Sequence, residues 1–293
     1  MNILGTGLSG LVGSRIVEIL ADGNTFENLS LETGVDITNK EMVDSFFSNS
    51  VSEWVFHLAA YTDVQGAERE KELGEQSAAW KVNVLATEHI VENCRKYKKK
   101  LLYLDTDYAF DGTKKLYTES DEPNPLGWYA ITKHEGALRA LTLGGDSLIL
   151  RISNPYRAFP VGKKDFVHKM LERLQSGQGI TAPHDQLFVP TFIDDIAHAI
   201  GMLMNKNCTG IYHTVGSSAL SPYEAAVVIA DMYHLPSSLV SKTTFQEMFK
   251  DRAPAPQYAV LDNTKLKQAG YEMKTFYEGV SAMKKLEDDS KIS

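Results

Sequence analysis

The sequence is poor in cysteine and has no long apolar run, and both shortages limit what the protein can be. Its 293 residues include two cysteines, Cys94 and Cys208, and no Cys-x-x-Cys pair. Two unpaired thiols suit a reducing compartment and argue against a disulfide framework. No apolar run approaches the roughly 20 residues that span a bilayer. Because Met1 leads straight into an apolar stretch without a charged leader, we expect no signal peptide and a soluble, cytoplasmic protein.

Positive charge is scarce as well. The 30 Lys and Arg residues are outnumbered by 38 Asp and Glu residues, which gives a formal net charge of -8. An acidic surface repels phosphate backbones and anionic headgroups, so neither nucleic acid nor a membrane is an expected partner. An anionic ligand must therefore be bound by a local cationic site. The 8 histidines are scattered along the chain, and no metal site is predicted.

The first half of the chain alternates short apolar runs with longer helical patterns. The apolar runs predict strands at Asn2–Leu4, Leu29–Leu31, Trp54–Leu58, Leu101–Asp105 and Ser147–Ile152. This alternation is typical of a parallel sheet covered by helices on both faces. We therefore predict an α/β protein with a Rossmann-type doubly wound sheet in residues 1–153. We expect residues 154–293 to form mostly a smaller mixed α/β lobe, with about 190–216 rejoining the sheet and the charged segment 284–293 frayed.

A glycine-rich loop follows the first predicted strand and opens the first helix. It reads Gly5-Thr-Gly-Leu-Ser-Gly-Leu-Val-Gly13. Glycines there let the backbone approach a pyrophosphate, to which the helix N-terminus offers free N–H groups. In this position the loop predicts dinucleotide binding. The choice between NAD(H) and NADP(H) stays open, because Glu32 fits a ribose contact and Arg15 a 2′-phosphate contact, while both also fit ordinary surface positions.

Two further patterns indicate acid–base chemistry at the sheet. Tyr129 and Lys133 are four residues apart at the start of a predicted helix, which places the phenol and the ammonium on one face. A fixed cation beside a tyrosine is expected to lower its pKa. The fourth predicted strand ends in Asp105, Thr106 and Asp107, where a hydroxyl is able to stabilise a developing alkoxide beyond the strand end. Each pattern alone also fits a simpler role, namely a surface lysine and a turn-capping threonine.

Four blocks together resemble the extended short-chain dehydrogenase/reductase superfamily and, within it, the dTDP-4-dehydrorhamnose reductase family. They are Thr6-Gly-x-x-Gly-x-x-Gly13, Phe56-His-Leu-Ala-Ala-Tyr-Thr62 with Glu68, Thr106-Asp-Tyr-Ala-Phe-Asp-Gly112, and Tyr129-x-x-x-Lys133. The third block is the most specific. Weaker matches at Asp185-Gln186, Pro190-Thr191 and Arg252-Ala-Pro254 extend the resemblance over nearly the whole chain.

The resemblance implies NAD(P)H-dependent reduction of a nucleotide-linked 4-keto-6-deoxysugar. Tyr129 is the implied proton donor, Lys133 holds the nicotinamide ribose, and Thr106 binds the substrate carbonyl. The implied cofactor-binding residues are Thr6, Gly7, Ser9, Gly10, Leu11, Val12, Asp36, Ile37, Leu58, Ala59, Ala60, Thr62, Tyr129, Lys133 and Asn154. The implied sugar-nucleotide contacts are Thr106, Asp107, Tyr129, Gln186 and Arg252. The C-terminal lobe would bind substrate, and the helices Ser77–Cys94 and Tyr129–Leu141 would form a homodimer.

Two departures from the family pattern keep other functions open. The segment Arg151-Ile-Ser-Asn-Pro-Tyr156 is closer to the epimerases of the superfamily, so an NAD-dependent sugar-nucleotide 4-epimerase is the alternative enzyme. Asp105 stands where a small residue is usual. A 4,6-dehydratase is disfavoured because Tyr108 replaces the glutamate of its acid–base pair. An epimerase–reductase of the fucose-pathway type is disfavoured because the third block lacks the thiol that such enzymes use. The regulatory beta subunit of methionine adenosyltransferase resembles the same family, so a non-catalytic dinucleotide-binding subunit is the alternative of another class.

Overall fold

A parallel sheet of six strands lies at the centre of the protein, whose computed structural model describes residues 1–291. The strands of the chain are β1 (Asn2–Thr6), β2 (Thr25–Leu29), β3 (Trp54–His57), β4 (Lys100–Thr106), β5 (Ser147–Ile152), β6 (Pro155–Tyr156), β7 (Ile180–Pro183), β8 (Thr191–Phe192), β9 (Gly210–His213) and β10 (Val240–Thr243). The large sheet has the order β2-β1-β3-β4-β5-β9. Because the chain leaves β1 for β2 on one side and returns as β3 on the other, a crevice opens at the carboxyl ends of β1 and β3.

Helices cover both faces of this sheet and build the second lobe. Within residues 1–291 they are α1 (Leu11–Leu20), α2 (Lys40–Asn49), α3 (Val64–Arg69), α4 (Ala78–Trp80), α5 (Ala86–Tyr97), α6 (Trp128–Leu141), α7 (Phe166–Gln175), α8 (Ile193–Asn205), α9 (Pro222–Met232), α10 (Phe245–Phe249), α11 (Thr264–Ala269) and α12 (Phe276–Asp289). None of these helices is long and apolar enough to cross a membrane.

Alternate residues of each strand enter two separate hydrophobic cores. On one face, Ile3 and Leu102 pack with α1 and α8. On the other face, Leu4 and Leu101 pack with α2, α5 and α6. Strands that are buried on both faces consist of continuous apolar runs, which is why the sequence pattern indicates them. The predicted α/β, doubly wound architecture is confirmed.

The second lobe contains two small parallel sheets, β10-β7 and β6-β8. Residues of α7, α9 and α12, among them Val167, Ile229 and Val280, form a core of their own. Between α8 and α9 the chain returns to the large sheet as β9, which pairs with β5. The division into domains at residue 153 stays a prediction.

Two local strand and helix predictions are corrected. The second strand ends at Leu29, and Leu31 is 77% exposed in a 3-10 turn, because Ser30 and Thr33 cap each other. The predicted helix over 77–94 is interrupted by a π-helical turn at Lys81–Leu85, which separates α4 from α5.

The predicted fraying of the C-terminal segment is also corrected in part. Lys284 lies well inside α12, which continues to Asp289. The helix is fixed to the second lobe because the Lys284 ammonium donates to the carbonyl oxygen of Met232 at 2.7 Å. The prediction for residues 292–293 lies outside the described residues.

Candidate active site

Three glycines shape the loop between β1 and α1. Gly7 has a φ of +69°, and a Cβ there would lie 2.6 Å from the Ala59 nitrogen. A Cβ on Gly13 would lie 2.2 Å from the Gly7 carbonyl oxygen. Gly10 is the N-cap of α1, so no side chain occupies the first N–H groups, and the first turn carries no acidic residue. These free donors at the positive end of a helix fit the pyrophosphate of a dinucleotide.

A cavity of about 440 Å³ opens in front of this loop; we call it the cofactor-side cavity. The predicted cofactor residues that line it are Gly7, Gly10, Leu11, Val12, Leu58, Ala60, Thr62, Tyr129, Lys133 and Asn154. Thr106 and Asp107 line it as well. The structure thus brings residues from the ends of β1, β3, β4 and β5 together with α6, at the sheet edge where open parallel sheets bind ligands.

The other predicted cofactor residues lie outside the wall of this cavity. Thr6 is buried behind the loop, where its oxygen accepts the Ala59 N–H at 3.2 Å. Ser9 and Asp36 are exposed, and Ile37 is half-buried beside Asp36. Their cofactor contacts stay predictions.

Neither residue considered for the adenosine ribose is decisive. Glu32 is exposed in the turn after β2. Arg15 is paired with Asp194 at 2.6 Å and with Glu18 at 2.9 Å. Arg15 therefore joins α1 to α8, and its guanidinium is committed to two carboxylates rather than open to a 2′-phosphate.

Thr106, Tyr129 and Lys133 meet in the cofactor-side cavity, but the lysine is held by other groups. The Lys133 ammonium donates to the Tyr103 hydroxyl at 2.8 Å and to the Leu104 carbonyl oxygen at 2.7 Å. Thr106 ends β4 and donates to the Asp107 carboxylate at 3.1 Å.

Burial governs the proton affinities at this site. It raises the pKa of Tyr129, a rise that the Thr106 hydroxyl opposes. Burial lowers the pKa of Lys133 to about 8, and the Asp105 carboxylate opposes this fall. Burial also raises the pKa of Asp107 to about 6. The expected lowering of the Tyr129 pKa by Lys133 is therefore wrong for the chain alone, and the phenol is a protonated donor at neutral pH.

Asp105, the unusual residue before Thr106, forms a buried ion pair. Its carboxylate accepts a hydrogen bond from Arg151 Nε at 3.0 Å, and both side chains are almost completely buried. The Arg151 guanidinium also lies 5.1 Å from the centre of the Phe110 ring. A buried carboxylate without such a partner would be strongly destabilising, so Arg151 is what allows an acid at this strand position.

A second cavity of about 540 Å³ adjoins the first on the side of the smaller lobe; we call it the lobe-side cavity. Asp107, Tyr108 and Asn154 line both cavities. The predicted substrate residues Gln186 and Arg252 line only the lobe-side cavity.

Several residues of both walls are not identified by the sequence patterns. In the lobe-side cavity they include Arg173, Met248 and Phe249. In the cofactor-side cavity they include Lys163 and Lys169. A lysine or arginine on a helix or loop has the same local pattern whether it faces solvent or a cavity, so only the fold reveals them.

The predicted absence of a metal site stays a prediction. Within residues 1–291 the structure contains no group of three or more His, Cys, Asp or Glu side chains arranged to hold a metal ion.

The family model of the RmlD substrate binding domain matches residues 1–288. The chain belongs to this family. A dTDP-4-dehydrorhamnose reductase from Aggregatibacter actinomycetemcomitans is 32% identical over 282 residues, which cover 91% of this chain and 92% of that protein. Methionine adenosyltransferase 2 subunit beta from Bos taurus is 29% identical over 282 residues, which cover 93% of this chain and 84% of that protein.

A solved structure gives the same result for the fold. The dTDP-4-dehydrorhamnose reductase from Bacillus anthracis, in complex with NADP, has a TM-score of 0.86 and 25% identity and covers 96% of this chain and 98% of that chain. The predicted resemblance to the dTDP-4-dehydrorhamnose reductases of the extended short-chain dehydrogenase/reductase superfamily is confirmed. The RmlD family includes NAD(P)-dependent sugar-nucleotide reductases, and it also includes a protein named as an adenosyltransferase subunit.

Proposed function

We propose that this RmlD-family chain is an NAD(P)H-dependent reductase of a nucleotide-linked 4-keto-6-deoxysugar. The observation that carries the proposal is the junction of the two cavities, since Asp107 and Tyr108 line both. A sugar in the lobe-side cavity would place its keto group at this junction, beside Thr106 and Tyr129. A dinucleotide in the cofactor-side cavity would approach the same point from the glycine loop.

The residues at the junction suit the reduction of a carbonyl group. When bound, the reduced nicotinamide supplies the hydride. Because burial raises the pKa of Tyr129, its phenol keeps a proton that it donates to the developing alkoxide. The Thr106 hydroxyl stabilises the same oxygen by hydrogen bonding. Lys133 lines the cavity one helical turn after Tyr129 and would bind the ribose next to the nicotinamide.

The lobe-side cavity supplies the local positive charge that an acidic protein needs to bind a diphosphate. The chain has a net charge of -8, yet Arg173 and Arg252 both line this cavity. Guanidinium groups form charge-assisted, often bidentate hydrogen bonds with phosphate oxygens. We therefore assign the nucleotide diphosphate to the lobe-side cavity, with Gln186 at its wall.

The 4-epimerase remains the second candidate because the segment 151–156 resembles the epimerases of the superfamily at Asn154. This residue follows β5 with a φ of +42°, in the left-handed region, and lines both cavities. A backbone held in this region at a ligand site is a strain that the surroundings must support.

The homodimer and the cytoplasmic location stay predictions.

The decisive experiment has two arms: the protein with NADPH or NADH and a panel of 4-keto sugar nucleotides, and the protein with NAD+ and the corresponding 4-hydroxy sugar nucleotides. Consumption of reduced cofactor with formation of a 4-hydroxy sugar supports the reductase. Interconversion of 4-hydroxy epimers without net cofactor consumption supports the epimerase, and cofactor binding with neither reaction supports a regulatory subunit.

The Tyr129→Phe variant tests the assigned proton donor. Removing the phenol hydroxyl is expected to lower turnover by roughly 100-fold or more, because general acid catalysis contributes that much. Cofactor affinity, measured by fluorescence titration, is expected to remain that of the unmodified chain. Tyr97→Phe, at the end of α5 and 3.3 Å from Asp44, is the matched control. Near-normal turnover of Tyr129→Phe would refute the assignment of Tyr129 as the proton donor.

A further inference from the structure

The Lys133 ammonium is held by the hydroxyl of a buried tyrosine, Tyr103, which has no role in the proposed reaction. Tyr103 Oη accepts a hydrogen bond from Lys133 Nζ at 2.8 Å, and the ammonium lies 4.2 Å from the centre of the Tyr103 ring. A second N–H donates to the Leu104 carbonyl oxygen at 2.7 Å. Because an ammonium has three N–H donors, one is left for a ligand in the cofactor-side cavity.

Tyr103 is itself held in one position. It lies on β4 with only 1% of its surface exposed, facing the core formed by α5 and α6. Its hydroxyl donates to the Lys133 carbonyl oxygen at 3.3 Å. A Cβ on Gly136 would lie 2.6 Å from this hydroxyl and 2.3 Å from the Asn83 carbonyl oxygen. The hydroxyl therefore lies in a space between α6 and the π-helical turn. This space is open because residue 136 is a glycine and has no side chain.

A buried histidine continues this arrangement toward the glycine loop. With its own proton donated to the Asn83 carbonyl oxygen at 2.7 Å, the Thr87 hydroxyl accepts from His57 Nε2, which is 2.9 Å away. The proton of the imidazole is thereby assigned to Nε2, and Nδ1 accepts from the Thr6 hydroxyl at 2.7 Å. Burial lowers the pKa of His57 to about 3, so the ring is neutral, as this assignment requires.

The histidine and tyrosine are in direct contact. The centres of the His57 and Tyr103 rings are 5.7 Å apart. Thr6, His57, Thr87, Tyr103 and Lys133 are all nearly inaccessible to solvent. We call these five residues the Thr6–Lys133 network. It runs from Thr6, the residue before Gly7, to Lys133, which lines the cofactor-side cavity.

We propose that Tyr103 is a positioning residue that fixes the Lys133 ammonium for the cofactor ribose, with His57 joining this support to the glycine loop. The inference rests on the proposed function only in taking Lys133 as a cofactor ligand. Without the Tyr103 hydroxyl, the ammonium loses one of its two protein acceptors. It would then be free to adopt other orientations, and its charged form would lose stabilisation.

The Tyr103→Phe variant tests this proposal through cofactor binding, which needs no sugar substrate. The dissociation constant of NADPH or NADH is expected to rise about 10-fold, the size expected from a lost hydrogen bond to a charged group. In the unmodified chain, affinity should weaken as Lys133 deprotonates around its pKa of about 8. In Tyr103→Phe the midpoint of this loss is expected at lower pH, by about one unit, because the hydroxyl that stabilises the ammonium is absent.

A matched control separates positioning from a general loss of stability. Tyr156 is equally buried, but it lies in the core of the second lobe, and its hydroxyl is 3.5 Å from the Phe276 carbonyl oxygen. Tyr156→Phe removes the same atom and is expected to leave cofactor affinity and its pH midpoint unchanged. Equal effects of Tyr103→Phe and Tyr156→Phe on cofactor binding would overturn the proposal.

A double-mutant cycle with Lys133→Met completes the test. If Tyr103 acts through Lys133, adding Tyr103→Phe to Lys133→Met causes no further loss of cofactor affinity. Multiplicative losses in the double variant would contradict the proposal. Failure to reduce any keto sugar would refute the proposed function while leaving this binding test intact. Unchanged cofactor binding in Tyr103→Phe, alongside normal reduction, would refute only the role of Tyr103.

Discussion

The two cavities that meet at Asp107 and Tyr108 are built from different kinds of structure. The cofactor-side cavity is formed mainly by the glycine loop, the ends of sheet strands and α6, together with the segment from Lys163 to Lys169. Its residue Lys133 belongs to the buried Thr6–Lys133 network. The lobe-side cavity is formed by short elements such as β7, with four residues, and α10, with five. There Arg252 is exposed, and the Gln186 side chain makes a long hydrogen bond of 3.4 Å to Pro256.

The difference suggests which side of the site is free to change. The dinucleotide is the same molecule whichever sugar is reduced, and a rigid, interlocked wall is suited to a ligand that does not change. Loops and short helices on a rigid scaffold accept substitutions more easily and carry most specificity in such folds.

The largest expected effect comes from adding one methyl group to the rigid side. In Gly13→Ala the new Cβ would meet the Gly7 carbonyl oxygen at 2.2 Å, so the loop or α1 must shift. Several N–H groups that fit a pyrophosphate would move together. Cofactor affinity in a fluorescence titration is expected to fall on the order of 100-fold, and the free energy of unfolding by about 1–3 kcal/mol.

Gly145→Ala is the control for this prediction. No atom lies within 4 Å of the position where its Cβ would be placed, and the residue does not require a positive φ. It is expected to leave both cofactor affinity and stability unchanged within error. Retention of full cofactor affinity in Gly13→Ala would show that the glycine loop adapts to a side chain at residue 13 and that the cofactor side is not rigid.

The rigid side was also the side that the sequence predicted best. Continuous apolar runs and the glycine spacing lead to the sheet and the loop because each is a local pattern with one dominant structural meaning. The role of Tyr129 follows only from the family resemblance. Tyr103 was missed because its role depends on a contact with α6 and a π-helical turn, neither of which has a local signal. Arg15 was ambiguous because its partner Asp194 is distant in sequence, and Arg173 has the pattern of any surface helix residue.

Asp107 connects the two sides of the site because it lines both cavities. Burial raises its pKa from 3.8 to about 6. Its ionisation is therefore harder in the folded than in the unfolded chain. Stability contributed by the protonated form is fully present below about pH 4 and is lost as pH rises through about 6. Asp107→Asn cannot ionise, so it should exceed the unmodified chain in stability by about 3 kcal/mol at pH 8 and by little near pH 4.

Urea unfolding followed by circular dichroism at about pH 4.5, 6 and 8 would measure this difference. Asp44→Asn should change stability in the opposite direction, because a hydrogen bond from Lys96 lowers the pKa of Asp44. Loss of the Asp44 carboxylate should reduce stability at pH values above the usual pKa of aspartate, where the carboxylate is charged. A pH-independent difference for Asp107→Asn would show that this carboxylate is better solvated than its burial implies.

The smallest effect on the fold is expected on the lobe side, at Arg252. This residue is exposed, and its guanidinium lies 5.7 Å from the centre of the Phe249 ring. Arg252→Met should therefore change the free energy of unfolding by less than about 0.5 kcal/mol and leave cofactor affinity unaltered. If the guanidinium pairs with the substrate diphosphate, KM for the sugar nucleotide should rise roughly 10-fold or more, with kcat nearly constant. Arg69→Met is the control, because Arg69 is an exposed arginine 3.8 Å from Asp63. A fall in kcat for Arg252→Met, instead of a rise in KM, would place Arg252 closer to the reacting carbonyl than the lobe-side cavity indicates.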